Sequence, residues 1–291
     1  MIKRAVIPAA GLGTRLLLMT KEQPKEMLSI FANTQDRSFR LKPVLQLVYE
    51  QLYDIGFREF CFIIGRGKRA IEDHFTSDSG YTSMLRQRGK ESSAEGLECF
   101  YKKLQESTLV WVNQPDPIGF GDAVLKAKSF IGNTSFIVHA GDTYVISDGA
   151  DHLQRLMKAY ESLGGDAMLL VKEMEAPKQH GVIEAEEIDG GTYKVNRAVE
   201  KPEKPPSKLA IMPIYALSPA ILQAIERTRP GVGGEIQLTD AIQMLIESGS
   251  KVHAMKLKPE ELRLDVGTPE TYWDALQLSR EYAMTGRIPK L

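Results

Sequence analysis

A chain of 291 residues, 43% hydrophobic and 26% charged, has the composition of an ordinary globular protein and the length to bury a large α/β core. A formal net charge of −1 gives no basic field for nucleic acid or an anionic membrane, and two cysteines, Cys61 and Cys99, make no disulfide framework. No apolar run approaches a membrane span, and the first residues pattern as a strand rather than a signal peptide, so a cytoplasmic protein is expected.

Ile2 to Ile7 is a short apolar run interrupted by Lys3 and Arg4, the pattern of a buried first strand. It runs into Pro8-Ala9-Ala10-Gly11-Leu12-Gly13-Thr14-Arg15. Two glycines one residue apart let the backbone pass close to a ligand and offer bare N–H groups. Thr14 adds a hydroxyl and Arg15 a guanidinium fork suited to phosphate oxygens. The expectation is a loop in which Ala10, Gly11, Gly13 and Thr14, with Arg15, wrap the phosphates of a nucleoside triphosphate. It is not a dinucleotide fingerprint, because Leu16 stands at the third glycine position and the next strand ends in Gly65 rather than an acid. Gly65-Arg66-Gly67-Lys68 lacks the Walker A spacing and its Ser/Thr.

Pro43 suits the first turn of a helix whose apolar face is Leu45, Val48, Tyr49 and Leu52 and which Gly56 ends. Phe60 to Ile64 is the second strand, with Cys61 a core residue, and Gly65 to Phe75 is a loop entering a helix. Thr76 to Leu109 is charge-rich with a broken helical pattern, read as a helical excursion with a loop at Ser92, Ser93 and Ala94. The strand Leu109 to Val112 delivers a loop, Asn113 to Val124, in which Pro115 and Pro117 prevent helix, Gly119 and Gly121 allow close approach to a flat group, and Asp122 caps the next helix.

Ser135 to Ala140 is a strand ending at Gly141-Asp142. An acid just beyond the carboxyl end of a central strand lies where open α/β sheets place their ligands. Mg²⁺ prefers one or two carboxylates plus phosphate oxygens, so Asp142 is the expected first metal ligand. His139 is expected as a core histidine. Leu153, Leu156, Met157 and Tyr160 form an amphipathic helix ended by Gly164-Gly165, and Ala167 to Val171 is a strand. Repeated strand–helix alternation predicts an α/β, Rossmann-like, mostly parallel sheet with helices on both faces. His180 to Glu184, Thr192 to Val199 and Leu209 to Leu217 are then strands without helices between them, expected as a smaller mixed or antiparallel sub-sheet. Gly231 to Gly234 enters a helix carrying Ile242 and Leu245. Leu262 to Pro269 is a short strand, the acid Asp265, a glycine turn and a proline-started helix near Thr271 to Tyr282.

The segment Lys21-Glu22-Gln23-Pro24-Lys25-Glu26-Met27-Leu28, following an Ala-Gly-Leu-Gly-Thr-Arg loop, closely resembles bacterial UTP–glucose-1-phosphate uridylyltransferases, in the sugar-1-phosphate nucleotidyltransferase family. Gly65 to Phe75 and Gly233-Gly234-Glu235-Ile236-Gln237-Leu238-Thr239-Asp240-Ala241-Ile242 are similar to the same family, and the pieces keep its order from Ala5 to about Leu276. The resemblance implies a single nucleotidyltransferase domain over 1–291, with a nucleotide-binding part at 1–172, a sugar-binding part at 173–268 and a C-terminal helix at 269–284. It implies uridylyl transfer from UTP to glucose 1-phosphate, with Arg15 and Lys25 as catalytic groups. Gln114 would bond the base edge with help from the Gly119 backbone, and Gly181, Glu200 and Lys201 would hold the sugar phosphate. Asp265 would be the second acid for Mg²⁺ beside Asp142, and the Gly233 to Ile242 string would shape the sugar side. A homodimer or homotetramer is implied as well. The chain departs from the family at Phe31 to Leu41, which looks like a polar, solvated insertion of roughly eight residues. Rival readings are a glucose-1-phosphate thymidylyltransferase using dTTP, a non-catalytic nucleotide-sugar-binding module and a Rossmann oxidoreductase.

Overall fold

Ala5 to Ala9 is apolar at every position, which suits a strand covered on both faces. The computed structural model, which describes residues 2–33 and 39–289, puts that strand, β1 (Arg4–Ala9), inside a sheet. A hairpin follows it, β2 (Ser29–Asn33) and β3 (Phe39–Pro43), then α1 (Val44–Asp54), β4 (Glu59–Ile64) and α2 (Arg69–His74). The helical excursion is α3 (Ser79–Gln87) and α4 (Glu91–Gln105), leading to β5 (Thr108–Asn113), α5 (Phe120–Lys126) and α6 (Lys128–Ile131). Then come β6 (Phe136–His139), β7 (Thr143–Ile146), α7 (Asp151–Leu163) and β8 (Ala167–Glu173). The strands β9 (Gly181–Asp189), β10 (Thr192–Glu200) and β11 (Leu209–Leu217) precede α8 (Ala220–Arg227), α9 (Leu238–Glu247), β12 (Val252–Lys256), β13 (Leu262–Asp265) and α10 (Pro269–Thr285).

Among the described residues nine strands join in the order β5-β4-β1-β6-β11-β8-β12-β10-β9. The β5-β4-β1-β6 part is parallel throughout. The rest is mixed: β11 runs antiparallel to β6 and β8, β12 is parallel to β8, and β10 is antiparallel to β12 and β9. The mixed strands are therefore a sub-sheet that continues the parallel one. Leu209 to Leu217, expected beside its sequence neighbours, instead sits between β6 and β8 and touches β9 only at Ala210–Val182. Its nearly unbroken apolar run, Leu-Ala-Ile-Met-Pro-Ile-Tyr-Ala-Leu, is buried on both faces, which a central strand requires and an edge strand does not.

The two-residue period of the strands sorts side chains to opposite faces. Ala5, Ile7 and Ala9 join a core closed by α1, α4, α7 and α10, with Tyr49, Phe60, Phe75, Phe100 and Trp111 in an edge-on and tilted aromatic cluster. Val6, Cys61 and Ile63 join the opposite core under α5, α8 and α9. Burial pushes the Cys61 thiol up to about 12, which suits a core residue with no reactive role.

Two local expectations are corrected. Phe31 to Asn33 and Phe39 to Leu41 are not a solvated loop but paired strands, in register from Ser29–Pro43 to Asn33–Phe39. Ile30 and Ala32 alternate inward and are buried, and α10 holds the hairpin: Phe31 N–H donates to Ser279 Oγ at 3.2 Å and Tyr272 O–H donates to the Ser29 carbonyl at 3.1 Å. Thr34, Gln35, Asp36, Arg37 and Ser38 lie outside the described residues. Ser92, Ser93 and Ala94 are inside α4, not in a loop; Ala94 is buried, and the break falls at Gly89, whose φ of +68° an L side chain resists. Among the described residues no helix is long and apolar enough to cross a membrane.

Candidate active site

The carboxyl ends of the parallel strands β1, β5 and β6 carry the glycine loop, the Gln114 loop and Asp142 on one edge of the sheet. After β1 the chain turns at Gly13, φ +67°, and its carbonyl accepts from the Leu16 N–H at 2.9 Å and the Thr20 hydroxyl at 2.8 Å. Those bonds fold Thr14–Leu16 into a short helical turn and leave Gly11, Thr14 and Arg15 exposed. Gly65 backs the loop, since a Cβ there would stand 3.1 Å from the Ala10 carbonyl oxygen.

A second turn, Lys25–Met27, buries Glu26 and Met27 and returns the Lys25 ammonium to the glycine loop, where a Cβ on Gly11 would meet Nζ at 3.4 Å. Lys25 Nζ lies 2.5 Å from Asp142 Oδ2. Burial opposes the Lys25 charge, but Asp142, Glu26 and Asp265 together outweigh it and hold its pKa above the ordinary lysine value. Burial also opposes the Asp142 carboxylate, and Lys25 with Arg263 nevertheless holds that carboxyl below its usual range. Beneath the turn Glu26 pairs with Lys68 at 2.8 Å, both nearly inaccessible. Burial pushes the Glu26 pKa up against the pull of Lys68. The Gly65 to Phe75 string thus contributes a buttress, Lys68, to the lysine segment.

Asp265 reaches Asp142 through sheet pairing. β13 runs antiparallel to β7 with Asp265 opposite Thr143, and Val266 N–H donates to the Asp142 carbonyl at 3.3 Å. Arg263 Nη2 lies 2.5 Å from Asp265 Oδ2. A Cβ on Gly267 would stand 2.8 Å from Asp265 Oδ1 and 3.5 Å from Arg15 Nη2, which brings the glycine loop back to Asp265. Each acid therefore has its own cation.

In the loop after β5 Gln114 is buried, and its Nε2 donates to Asp122 Oδ2 at 2.8 Å and to the Gly119 carbonyl at 3.1 Å. Asp122 does not cap α5 as expected; it lies inside the first turn of that helix, buried, with Lys126 Nζ 3.3 Å from Oδ1. The close approach at Gly119 and Gly121 is to the chain itself. A Cβ would meet the Ile236 carbonyl oxygen at 2.4 Å from Gly119 and 2.8 Å from Gly121. Gly121 N–H donates to the Ile236 carbonyl at 2.9 Å and Ile236 N–H donates to the Ile118 carbonyl at 2.7 Å, so the Gly231 to Ile236 loop staples the Gln114 loop.

On the other side, Gly181 faces Glu200 across β9 and β10; a Cβ there would stand 2.7 Å from Thr239 Oγ1 and 3.1 Å from Glu200 Oε2. Lys201 follows at φ +41°, a left-handed backbone that costs a non-glycine residue about 1–2 kcal/mol, fixed by its N–H donating to the His180 carbonyl at 3.0 Å. Its Nζ lies 3.5 Å from Glu200 Oε1. Burial, then Arg263, Arg15 and Lys201, lowers the His180 pKa against the opposing pull of Asp265, which ties this side to the charged cluster. His139 is a core histidine, fully buried with Nδ1 2.9 Å from the Ala140 carbonyl oxygen.

The structure thus joins Gly11, Gly13, Arg15, Lys25, Asp142 and Asp265 in one cluster, with Gln114 and Gly119 beside it and Gly181, Glu200 and Lys201 beyond. Sequence reasoning missed Glu26, Lys68, Arg263, His180 and the part Asp122 plays. Arg263 alone left a signal: Arg-Leu-Asp on a strand puts the first and third residues on one face. Among the described residues no cluster of three or more His, Cys, Asp and Glu side chains forms a metal cage, so Asp142 and Asp265 are the candidate pair.

A parallel-to-mixed sheet with a glycine loop, a lysine on a short helical turn and an acid beyond a central strand end accords with a nucleotidyltransferase, and the chain belongs to the nucleotidyl transferase family, whose model matches residues 4–281. Similar proteins include the UTP–glucose-1-phosphate uridylyltransferase of Staphylococcus epidermidis, 39% identical over 270 residues, 91% of this chain and 88% of that one. A UDP-glucose pyrophosphorylase complexed with UDP-glucose superposes with a TM-score of 0.82 at 31% identity, covering 98% of this chain and 99% of the other. A UTP-bound enzyme of the same name from Acinetobacter baumannii does so with a TM-score of 0.82 at 29% identity, over 95% of this chain and 93% of that one.

Proposed function

We propose that the protein transfers the uridylyl group of UTP to glucose 1-phosphate, giving UDP-glucose and pyrophosphate. The observation that carries this reading is the Lys25–Asp142 contact of 2.5 Å, set between the glycine loop and Asp265 on the edge where Gln114 also stands. The names of the relatives and the nucleotides in the similar solved structures support the same substrates.

The nucleophile, an oxygen of the sugar phosphate, is already an anion and needs no general base. It attacks the α-phosphorus of UTP in line, and pyrophosphate leaves on the far side. The barrier is repulsion between two phosphates, so positioning and charge do the catalysis. Arg15 and the amides around Gly11 and Gly13 hold the β- and γ-phosphates. Lys25, kept protonated by its acidic neighbours, stabilises the α-phosphate as charge builds on it. Lys201 binds the incoming phosphate, and Glu200 accepts hydrogen bonds from sugar hydroxyls beside Gly181.

Asp142 and Asp265 fit a hard divalent cation: they are two carboxylates that, among the described residues, are not part of a group of three or more His, Cys, Asp and Glu side chains, which leaves positions for phosphate oxygens. These two carboxylates would hold Mg²⁺, which would supply Lewis-acid neutralisation of phosphate charge. A cytoplasmic homo-oligomer accords with this reading, and the exposed Trp273 and Met284 of α10 offer apolar surface for a second copy.

The test is pyrophosphate release with glucose 1-phosphate and Mg²⁺, comparing UTP, dTTP, CTP, ATP and GTP. Release with UTP well above the others is expected. A dTTP preference moves the chain to thymidylyl transfer, and silence with every nucleotide and several sugar phosphates overturns the catalytic reading in favour of a binding module.

A further inference from the structure

The amide of Gln114 can present either its oxygen or its NH₂ to a base, and which one it presents decides which pyrimidine fits. Uracil and thymine carry a donor at N3, whereas cytosine carries an acceptor there. A carboxylate and a carbonyl oxygen only accept hydrogen bonds. Asp122 Oδ2 at 2.8 Å and the Gly119 carbonyl at 3.1 Å therefore both demand Nε2 of Gln114, and the reversed amide would set oxygen against oxygen at both contacts. With both N–H groups used, Oε1 is left, and among the described residues no group donates a hydrogen bond to it.

Asp122 is held in turn. It is buried in the first turn of α5, and Lys126 Nζ stands 3.3 Å from Oδ1, which leaves Oδ2 for Gln114. The whole arrangement is pinned to the glycine-rich loop by the paired bonds between Ile236 and the residues Ile118 and Gly121. Neither Asp122 nor Lys126 needs to touch the nucleotide.

We propose that Asp122 is a positioning residue that fixes the Gln114 amide with its oxygen outward, so that the site reads the imide N–H of uracil or thymine and rejects cytosine. The proposal rests on the uridylyl reading and names how that reading's base is chosen. In Asp122→Asn, Lys126 keeps the amide oxygen on its side and turns Nδ2 toward Gln114. A donor then faces a donor at this contact while the Gly119 carbonyl still calls for the NH₂, so the Gln114 amide no longer has one preferred orientation.

The experiment measures kcat and KM for UTP, CTP and dTTP in the wild type, Asp122→Asn and Asp122→Ala, with circular dichroism melts of each. In Asp122→Asn the UTP-to-CTP ratio of kcat/KM is expected to fall by about tenfold or more, the worth of one misdirected hydrogen bond. The UTP-to-dTTP ratio stays the same, because both bases share the imide, and kcat at saturating UTP stays within about twofold, because the side-chain partners of Asp122 are Gln114 and Lys126 and not Lys25 or Asp142. Asp122→Ala gives a smaller fall in the same ratio. If UTP and CTP lose efficiency equally in variants that melt normally, Asp122 is a packing residue and the proposal fails while the uridylyl reading stands. A wild type that favours no uracil or thymine nucleotide overturns that reading first, and the proposal with it. A measurement that needs no variant is turnover of N3-methyl-UTP by the wild type. Rejection by about a hundredfold is expected, and turnover equal to UTP overturns the proposal.

Discussion

The two sides of the candidate site are built on different principles. On the nucleotide side charge is stored and balanced internally: Lys25 lies against Asp142, Arg263 against Asp265, and Lys68 against Glu26 below them. On the sugar side shape is stored: Gly181 leaves only enough room for Thr239 and Glu200, and Lys201 is held in a left-handed backbone. The division follows the sheet. The parallel strands end in loops whose amides and short turns can gather ions, whereas β9 and β10 present the faces of paired strands, where a single methyl group changes the fit. Losing a partner on the first side strands a charge; adding an atom on the second closes a space.

The largest effect should come from the buttress. Lys68→Met leaves Glu26 buried without its cation, and a loss of about 3–5 kcal/mol in urea unfolding is expected. The double variant Lys68→Met/Glu26→Gln should recover much of it. A single variant that loses under about 1 kcal/mol would mean the pair is not what supports the lysine turn.

Removing the ion above it reads out in rate. Lys25→Ala should lower kcat by roughly 10²–10³, the loss typical of one preorganised donor at a developing charge. A folded Lys25→Ala enzyme with wild-type kcat would take Lys25 out of the chemistry and leave the charge-versus-shape contrast without its main support.

The seam between the two sides is sensitive to pH. His139 on β6, which is parallel to β1 on one side and antiparallel to β11 on the other, and His152 on α7 are buried, each with Nε2 unpartnered. Burial lowers their pKa values to about 4 and about 3 from the ordinary 6.5. The folded state thus binds fewer protons than the unfolded chain below pH 6.5. The contribution is complete above that pH and is lost as pH falls toward 4, by about 2 kcal/mol per histidine at pH 5. Urea midpoints at pH 7 and pH 5 check this, and His152→Gln should flatten the profile. An unchanged midpoint in the wild type would show that the imidazoles do not resist protonation.

The smallest effect belongs to shape. Gly181→Ala puts a methyl group 2.7 Å from Thr239 Oγ1, and the overpacking, about 1–2 kcal/mol, should appear as roughly a tenfold rise in KM for glucose 1-phosphate with KM for UTP unchanged. An equal rise in both would place the strain across the whole site and blur the contrast.

Much of this was written locally. The glycine loop, the lysine turn, the strand-end Asp142 and the proline-started last helix depend on residues a few positions apart, and their backbone preferences show in sequence. The strands Ser29–Asn33 and Phe39–Pro43 were less legible, because the element that holds them is α10, some 240 residues away. The same holds for Asp122, whose position suggested a helix cap until the fold set Gln114 beside it.

By itself the sequence determined where the strands and most of the loops between them fall, since turn geometry and hydrophobic period are set by neighbours along the chain. Only the tertiary structure decided which charges meet. Lys25 finds Asp142 across 117 positions of sequence, and Asp265 joins them because β13 pairs with β7 and β7 follows directly on Asp142. That order is fixed by burying two faces of one sheet at once, as when the wholly apolar β11 is drawn between β6 and β8, and no local propensity encodes it.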